Sequence, residues 1–576
     1  MDVDVLPNYT FTQLNETAYK ILTEEGRNES RQIQLSYSNG YESLEVRSAY
    51  TLKADGQRIN VDPNSILYGH GATSQPGYED TRNVNVVFPD LEVGDQIVLV
   101  TLFRQLKPWF EGQFGFSAYF GDEVVNRDAR VTLTAPAENF PMLVDATGVQ
   151  GGERETAGGK RLWIWTFRNG TAVKPESHEI FQPNAMPHIA ISTFASYADA
   201  AKIYAAHMQG SAAVTPEIQK LADDLTRHIS GKRERAHVLY DWVATHISYV
   251  AIVLGAGGFE PNAASEVFAT KYGDCKDHVM LLEAMLKAEG IESTPVLINA
   301  GSAVELPKAA SPFNFNHMIT YVPELGMFLD STSRYAPFGT LPQGDQSKPV
   351  VLVKTGEVVT TPLSGTDSMH VVENIQLHEN GTADGETVVT STGDTAIAMR
   401  SLLANVPEGR DADMFRAMFG PGATGTIERG NTDKLTGDYS FKAQYTIPNY
   451  VNLPGPGALP VQLGFTPLSF ASVIGSDLPE RRTRPYACGS MTGDTDVTMN
   501  LPKNLEIVAL PKPIDSNAGG IALRSSDEIL SGNRFHQHTE INVTHASSVC
   551  DAAEYNASHD AFASMLVGLK AQVLYK

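Results

Sequence analysis

"KYGDCKDHVMLLEAML", residues 271–286, holds the first of three cysteines in the chain, set between two aspartates at the opening of what reads as a buried helix. Asp274 suits the N-cap, Gly290 suits the position just past the C-terminus, and Val279, Leu282 and Leu286 recur at helical spacing. Glu283 and Lys287 fall on a more polar face. Cys275 begins the apolar stripe. A thiol at a helix N-terminus faces unpaired backbone N–H groups and the positive end of the dipole, which favours the thiolate. The Cys275 N–H also suits a developing oxyanion. Asp274 and Asp277 oppose ionisation and Lys276 only partly offsets them, so a reactive thiolate needs an imidazolium nearby. A single cysteine on an apolar stripe is by itself more often packing than catalysis.

"FNHMITYVPELGMFLDST", residues 315–332, supplies the partner. It reads as two strands joined by a turn at Pro323 to Gly326. A connection of two or four residues pairs Val322 with Met327 and sets Asp330 opposite Ile319, diagonal to His317; an odd connection puts the two on opposite faces. An aspartate bonded to one ring nitrogen fixes the tautomer and stabilises the imidazolium, leaving the other nitrogen to exchange a proton with a nucleophile. His278, one helical step from Cys275, competes as the partner but has no carboxylate behind it. Asn316 points to the opposite strand face.

Around this centre the 576 residues divide into three expected domains. Residues 1–205 read as a β-sandwich: Ile33, Leu35 and Tyr37 alternate with polar neighbours, Asp55-Gly56 joins Tyr50 and Leu52 to Ile59 and Val61, and "LEVGDQIVLVTLF" (91–103) adds a buried strand. Three helices follow, in 196–208, 215–229 (Thr215 as N-cap, Pro216 at the first position) and 233–247, and strands return in "TPVLINA" and "FNHMITYVP". Helices first and strands afterwards describe an α+β domain over 206–345. Residues 346–576 read as β-rich, with a hairpin at Asn380-Gly381, period two at Tyr439, Phe441, Tyr445 and Ile447, a Pro and Gly loop at 448–460, and a final helix spaced by Phe562, Met565, Leu566, Leu569 and Val573. The fold class is multidomain α+β.

Composition is globular, with 42% apolar and 19% charged residues. The 67 acidic against 44 basic residues leave a net charge of −23, which disfavours nucleic acid as a partner, and no apolar run reaches the length of a membrane span. Cys488 and Cys550 stand together late in the chain and suit a disulfide, which would favour an oxidising compartment; two free thiols are the alternative. The opening "MDVDVLPNYT" has no basic and apolar leader, which fits either a cytosolic protein or one whose signal peptide has been removed. No CxxC pair points to structural zinc, and His536 and His538 in "FHQHTEINVTH" have no acidic or thiol partner in view, so a solvated surface is expected there and no metal.

The order cysteine at a helix start, histidine on a strand, aspartate on the next strand resembles the transglutaminase-like superfamily. "YGDCKDHVMLLEAMLKAEGI", "FNHMITYVP" and "FLDST" resemble its bacterial branch, and "YDWVATHISYV" resembles the helix and strand that precede the motif there. The likeness is strong over 215–345. More loosely, a strand-rich domain of unknown function in front and a β domain behind are similar to multidomain bacterial proteins that are commonly exported, so a periplasmic location is expected. The resemblance implies a papain-like fold, Cys275 as nucleophile, His317 as general base and acid, and Asp330 as orienting carboxylate. It also offers Trp242 as a side chain completing the oxyanion hole, although its place beside Val238 and Leu239 on an apolar helix face suits core packing.

The expected function is a thiol-dependent amide hydrolase, a peptidase or deamidase, that acts through an acyl-enzyme on a protein or peptide substrate and uses no metal or organic cofactor. Acyl transfer to an amine is the first alternative, but no sequence feature builds an amine site. The second is an envelope binding or scaffold protein with silent chemistry.

Overall fold

The computed structural model describes residues 1–70, 81–138, 140–250, 258–363, 365, 367–460 and 478–576. Its chain order is strands, then helices with a small sheet, then strands again. The N-terminal region is an eight-stranded sheet faced by two three-stranded sheets. Alternation along the strands supplies its two cores: Val3, Val5, Val131, Leu133, Trp163 and Trp165 meet Ile189 and Ile191, while Ile97 and Leu99 meet Val84 and Val86. The Asp55-Gly56 hairpin forms, pairing Tyr50 with Asn60 and Thr51 with Ile59.

The central unit packs helices Tyr197–His207, Pro216–Thr226, Lys232–His246 and Cys275–Ala288 against a five-stranded sheet. Thr215 caps the second helix through the Ile218 N–H, with Pro216 in its first turn. The sheet order is Met327–Leu329, His317–Val322, Thr294–Ile298, Pro349–Leu352, Val358–Thr360. Both expected boundaries of this unit shift. Strands at 349–352 and 358–360 complete the central sheet, so it runs past residue 345. The helix Tyr197–His207 crosses position 205 and buries Ala200, Ala201 and Tyr204 in the core that holds Cys275. Periodicity marks elements but not which sheet a strand joins.

The Cys275 helix is buried all round rather than amphipathic. Glu283, expected on a polar face, is 7% exposed and accepts bonds from Lys354 Nζ and Ser293 Oγ. Burial pushes its carboxyl up, against the pull of Lys354.

The C-terminal region is a second eight-stranded sheet whose inner face is covered by helices. Two of them, Gly393–Asn405 and Asp411–Phe419, stand in a stretch expected to be strands; Ala396, Met399 and Leu403 bury one face of the first. The last helix runs over Ala552–Leu569 and stops there, so Val573 lies on a strand, Gln572–Tyr575, and not on the helix. The Pro and Gly stretch likewise ends in a short strand, Gly457–Pro460, which pairs with it. Arg484 ties this region to the first through Asp122 and Glu179. None of the helices among the described residues is long and apolar enough to cross a membrane.

Lys354→Ala removes the cation from a buried carboxylate. Glu283 must then carry an uncompensated charge or take up a proton, so chemical denaturation should show a loss of about 1–3 kcal/mol at neutral pH that shrinks toward pH 5. An equal loss at both pH values would mean that the pair does not set the state of Glu283.

Candidate active site

The site begins with the helix start. Asp274 is the N-cap and accepts from the Asp277 N–H, while the Asp277 carboxylate accepts from the Asp274 N–H, a reciprocal capping box. Asp277 also accepts from the Asn262 backbone at 2.7 Å and its amide at 3.1 Å, so it fixes the preceding chain as well. The approach is tight at Gly273, where an added Cβ would stand 2.6 Å from the Asp277 Cβ. The Cys275 N–H stays outside the capping box and lies at the positive helix end.

The charges beside the cysteine are settled among themselves. Lys276 is 2% exposed and bonded to Asp274. Burial raises the Asp274 carboxyl to about 6, with Lys276 pulling it down. Burial would lower the Lys276 ammonium, but the charges of Asp274, Asp277 and Cys275 outweigh it and hold it up.

The hairpin has the even connection. Pro323–Gly326 joins the strands, pairing Val322 with Met327, Tyr321 with Phe328 and Thr320 with Leu329. In this register Asp330 reaches His317, with its Oδ2 3.3 Å from Nε2. The Thr332 N–H and hydroxyl donate to Asp330 Oδ1 at 2.9 and 2.6 Å, leaving Oδ2 for the imidazole. On its other side His317 lies close enough to Cys275 for the sulfur to stabilise the imidazolium. Since Nε2 faces Asp330, Nδ1 is the nitrogen left for the sulfur. Burial opposes the imidazolium, yet Asp330 and Cys275 outweigh it and hold His317 well above its usual range. Burial likewise works against the Asp330 carboxylate, but His317 and Thr332 bring it down to about 2.

Two residues join the site that sequence patterns did not mark. Asp345, 2% exposed, offers a carboxylate oxygen within 4.8 Å of donor atoms of both His317 and Asp330. Burial first, and then the Asp330 charge, raise it to about 8, which favours the neutral acid beside Asp330 at neutral pH. Tyr249 ends a strand, Ser248–Tyr249, that runs parallel to Tyr272–Gly273 at the helix start. Burial, with Cys275 and Asp330 close enough to act on it, raises its phenol. Asp345 sits alone in "LPQGDQSK", and the pairing that brings in Tyr249 is non-local. Neither leaves a local signal.

Other expectations resolve differently. Trp242 packs in the core: its indole stacks on His246 at 4.9 Å and takes Lys271 Nζ at 4.6 Å, against a core cluster other than the one that holds Cys275. His278 bonds the Ser331 carbonyl through Nδ1 at 2.9 Å, and burial lowers it to about 4, so it is neutral. Asn316 pairs with the Ala300 backbone in both directions. Cys488 and Cys550 form a disulfide. His536 and His538 do have an acidic partner, Asp496, across the sheet. Cys275 itself is fully buried, in one apolar cluster with Val279, Phe259, Phe315, Met318 and, from the N-terminal region, Trp109 and Phe110.

With this geometry in place, the chain can be set beside known proteins. Residues 219–305 match the transglutaminase-like superfamily, and residues 7–174 match a domain of unknown function with a solved structure, DUF3857. A crystal structure from Parabacteroides distasonis ATCC 8503, described as "a putative protease", covers 100% of this chain and 97% of its own, at 15% identity and a TM-score of 0.70. It shares the fold over the full length. A second, described as "a putative cysteine protease" from Cytophaga hutchinsonii, covers 56% of this chain and 76% of its own, at 10% identity and a TM-score of 0.16. No curated protein matches. The chain therefore carries a transglutaminase-like core between β-rich regions.

Asp345 keeps its proton to about pH 8 in the fold, whereas an exposed carboxyl loses it about four pH units lower. Because its folded value is raised, unfolding releases a proton between those limits and stability falls as pH rises through them. Asp345→Asn, neutral at every pH, should melt higher than the parent at about pH 8.5, by about 2 kcal/mol, with the advantage shrinking toward pH 5. A variant that is less stable at both pH values would mean that Asp345 is ionised in the fold.

Proposed function

We propose that the protein is a thiol-dependent amide hydrolase working through Cys275, His317 and Asp330. The observation that carries this reading is the single imidazole paired with a buried carboxylate at 3.3 Å and set close enough to the free thiol of Cys275 for the two to act on each other. In the resting pair His317 already holds the proton as an imidazolium, and the Cys275 sulfur attacks the carbonyl carbon of a peptide bond or a side-chain carboxamide. The carbonyl electron pair moves to oxygen, where the Cys275 N–H and, from the mouth of the site, the Tyr249 hydroxyl donate to it. His317 returns its proton to the leaving nitrogen as the C–N bond breaks, giving a thioester. Water, deprotonated by the same ring, then releases the acid and the thiol.

Asp330 keeps the ring oriented, and Asp345, as a neutral acid, stands beside that carboxylate without adding a second charge. Hydrolysis needs only water, while transfer needs a bound amine, so hydrolysis is preferred. The buried sulfur makes this structure a closed state, and access requires the aromatic cluster around it to part. The Cys488–Cys550 disulfide supports an exported, periplasmic protein. A protein or peptide is the substrate class that fits amide chemistry between large β regions.

Glutamine-containing peptides and casein, incubated with the full chain and read by mass spectrometry with an added primary amine, separate the outcomes. New termini or carboxamide-to-acid conversion, abolished in Cys275→Ala and lowered by about a hundredfold or more in His317→Ala, are expected. Amine adducts in place of hydrolysis would reassign the chemistry to transfer. Products that persist in Cys275→Ala would remove the thiol from it.

A further inference from the structure

A second convergence of imidazole and carboxylate groups lies on the outer face of the C-terminal sheet. Three neighbouring strands contribute: His370 from Asp367–Leu377, Asp494 and Asp496 from Met491–Asn500, and His536 and His538 from Arg534–Val543. The register sets His370 opposite Asp494 and Asp496 opposite His538, with His536 two residues along. Strand alternation puts all five on one side, since their neighbours Met369, Val371, Val497 and Phe535 are buried. A ring nitrogen of His370 and carboxylate oxygens of Asp494 and Asp496 lie within 4.8 Å of one another. Asp496 Oδ1 stands 3.0 Å from His536 Nε2 and 3.1 Å from His538 Nδ1, and His370 bonds Asp494.

Ordinary cross-strand charge pairing matches one imidazole to one carboxylate. Here one carboxylate oxygen takes two imidazoles, and a third joins through the adjacent aspartate. Protons satisfy these contacts one at a time, and each imidazolium formed repels the next. A divalent cation would accept a lone pair from the His370 ring while neutralising both carboxylates.

We propose that this face binds a divalent transition cation through His370, Asp494 and Asp496, with His536 and His538 holding the Asp496 carboxylate from the neighbouring strand. Imidazole nitrogen with carboxylate oxygen, and no thiolate, suits zinc, nickel or copper(II) and not calcium or magnesium, which take oxygen sets. The net charge of −23 favours cation approach. The donors belong to a sheet separate from the one that carries His317, so the site is independent of the thiol centre.

Zinc chloride titrated by calorimetry into the full chain carrying Cys275→Ser, which removes the free thiol as a competing ligand, tests this directly. One zinc per chain is expected, weakened about tenfold or more by Asp496→Asn and by His370→Ala, and less by the His536→Ala/His538→Ala pair. Circular dichroism checks that these surface variants stay folded. Copper(II) added to the parent should show imidazole nitrogen couplings in its paramagnetic resonance spectrum. Zinc binding unchanged by the variants, no stoichiometric zinc uptake by the parent, or a copper spectrum without those couplings would each overturn the site.

Discussion

The whole site depends on keeping one imidazole protonated inside the protein. Burial alone drives a histidine the other way, as His278 shows one helical turn from the sulfur: it bonds only a backbone carbonyl through Nδ1, and its ring is neutral. His317 is equally enclosed, yet a carboxylate behind it and a sulfur before it reverse the outcome. Two histidines in nearly the same medium thus differ by their charged neighbours. That contrast assigns the proton more firmly than proximity to Cys275 would.

Much of the surrounding structure serves to hold those neighbours. The capping box fixes the helix start and thereby the sulfur, and the even hairpin connection fixes which face Asp330 occupies. A one-residue slip would turn Asp330 away from the ring. Thr332 steers one carboxylate oxygen and Tyr240 donates to the Asp330 carbonyl at 3.1 Å, so the acid is held at both ends. Asp345 sets a limit on this arrangement. A second ionised carboxylate in the same pocket would compete for the ring, and the pocket avoids it by keeping that acid neutral.

The centre of the site was legible because its rules are local. N-cap chemistry places Asp274, helical spacing places Cys275 on the buried stripe, and turn length decides the face of Asp330. What escaped was set by distant pairing. Strands at 349–352 and 358–360 extend the central sheet, Asp345 enters from the loop before them, and Tyr249 arrives through a parallel bridge. Trp242 had two readings, and the one its apolar helix face suited is the one seen: it packs on the core, with His246 and Lys271 against its indole. His536 and His538 lacked an acidic partner only in one dimension, since Asp496 lies 40 residues before His536 in sequence and next door in the sheet. The helix at 393–405 carried its own periodic signal in Ala396, Met399 and Leu403, which strand-like surroundings obscured.

The most direct measurement is the rate at which iodoacetamide alkylates Cys275 across pH, in the full chain and in His317→Ala, read by mass spectrometry at that residue. The same chains unfolded in denaturant give the thiol's intrinsic reactivity, and the pH at which the folded rate rises, rather than its absolute value, separates ionisation from access. A coupled pair predicts that the folded parent reacts faster than His317→Ala near neutral pH by about tenfold or more, and that the unfolded chains react alike. Equal rates in the two folded proteins, at every pH, would contradict a proton shared between His317 and Cys275.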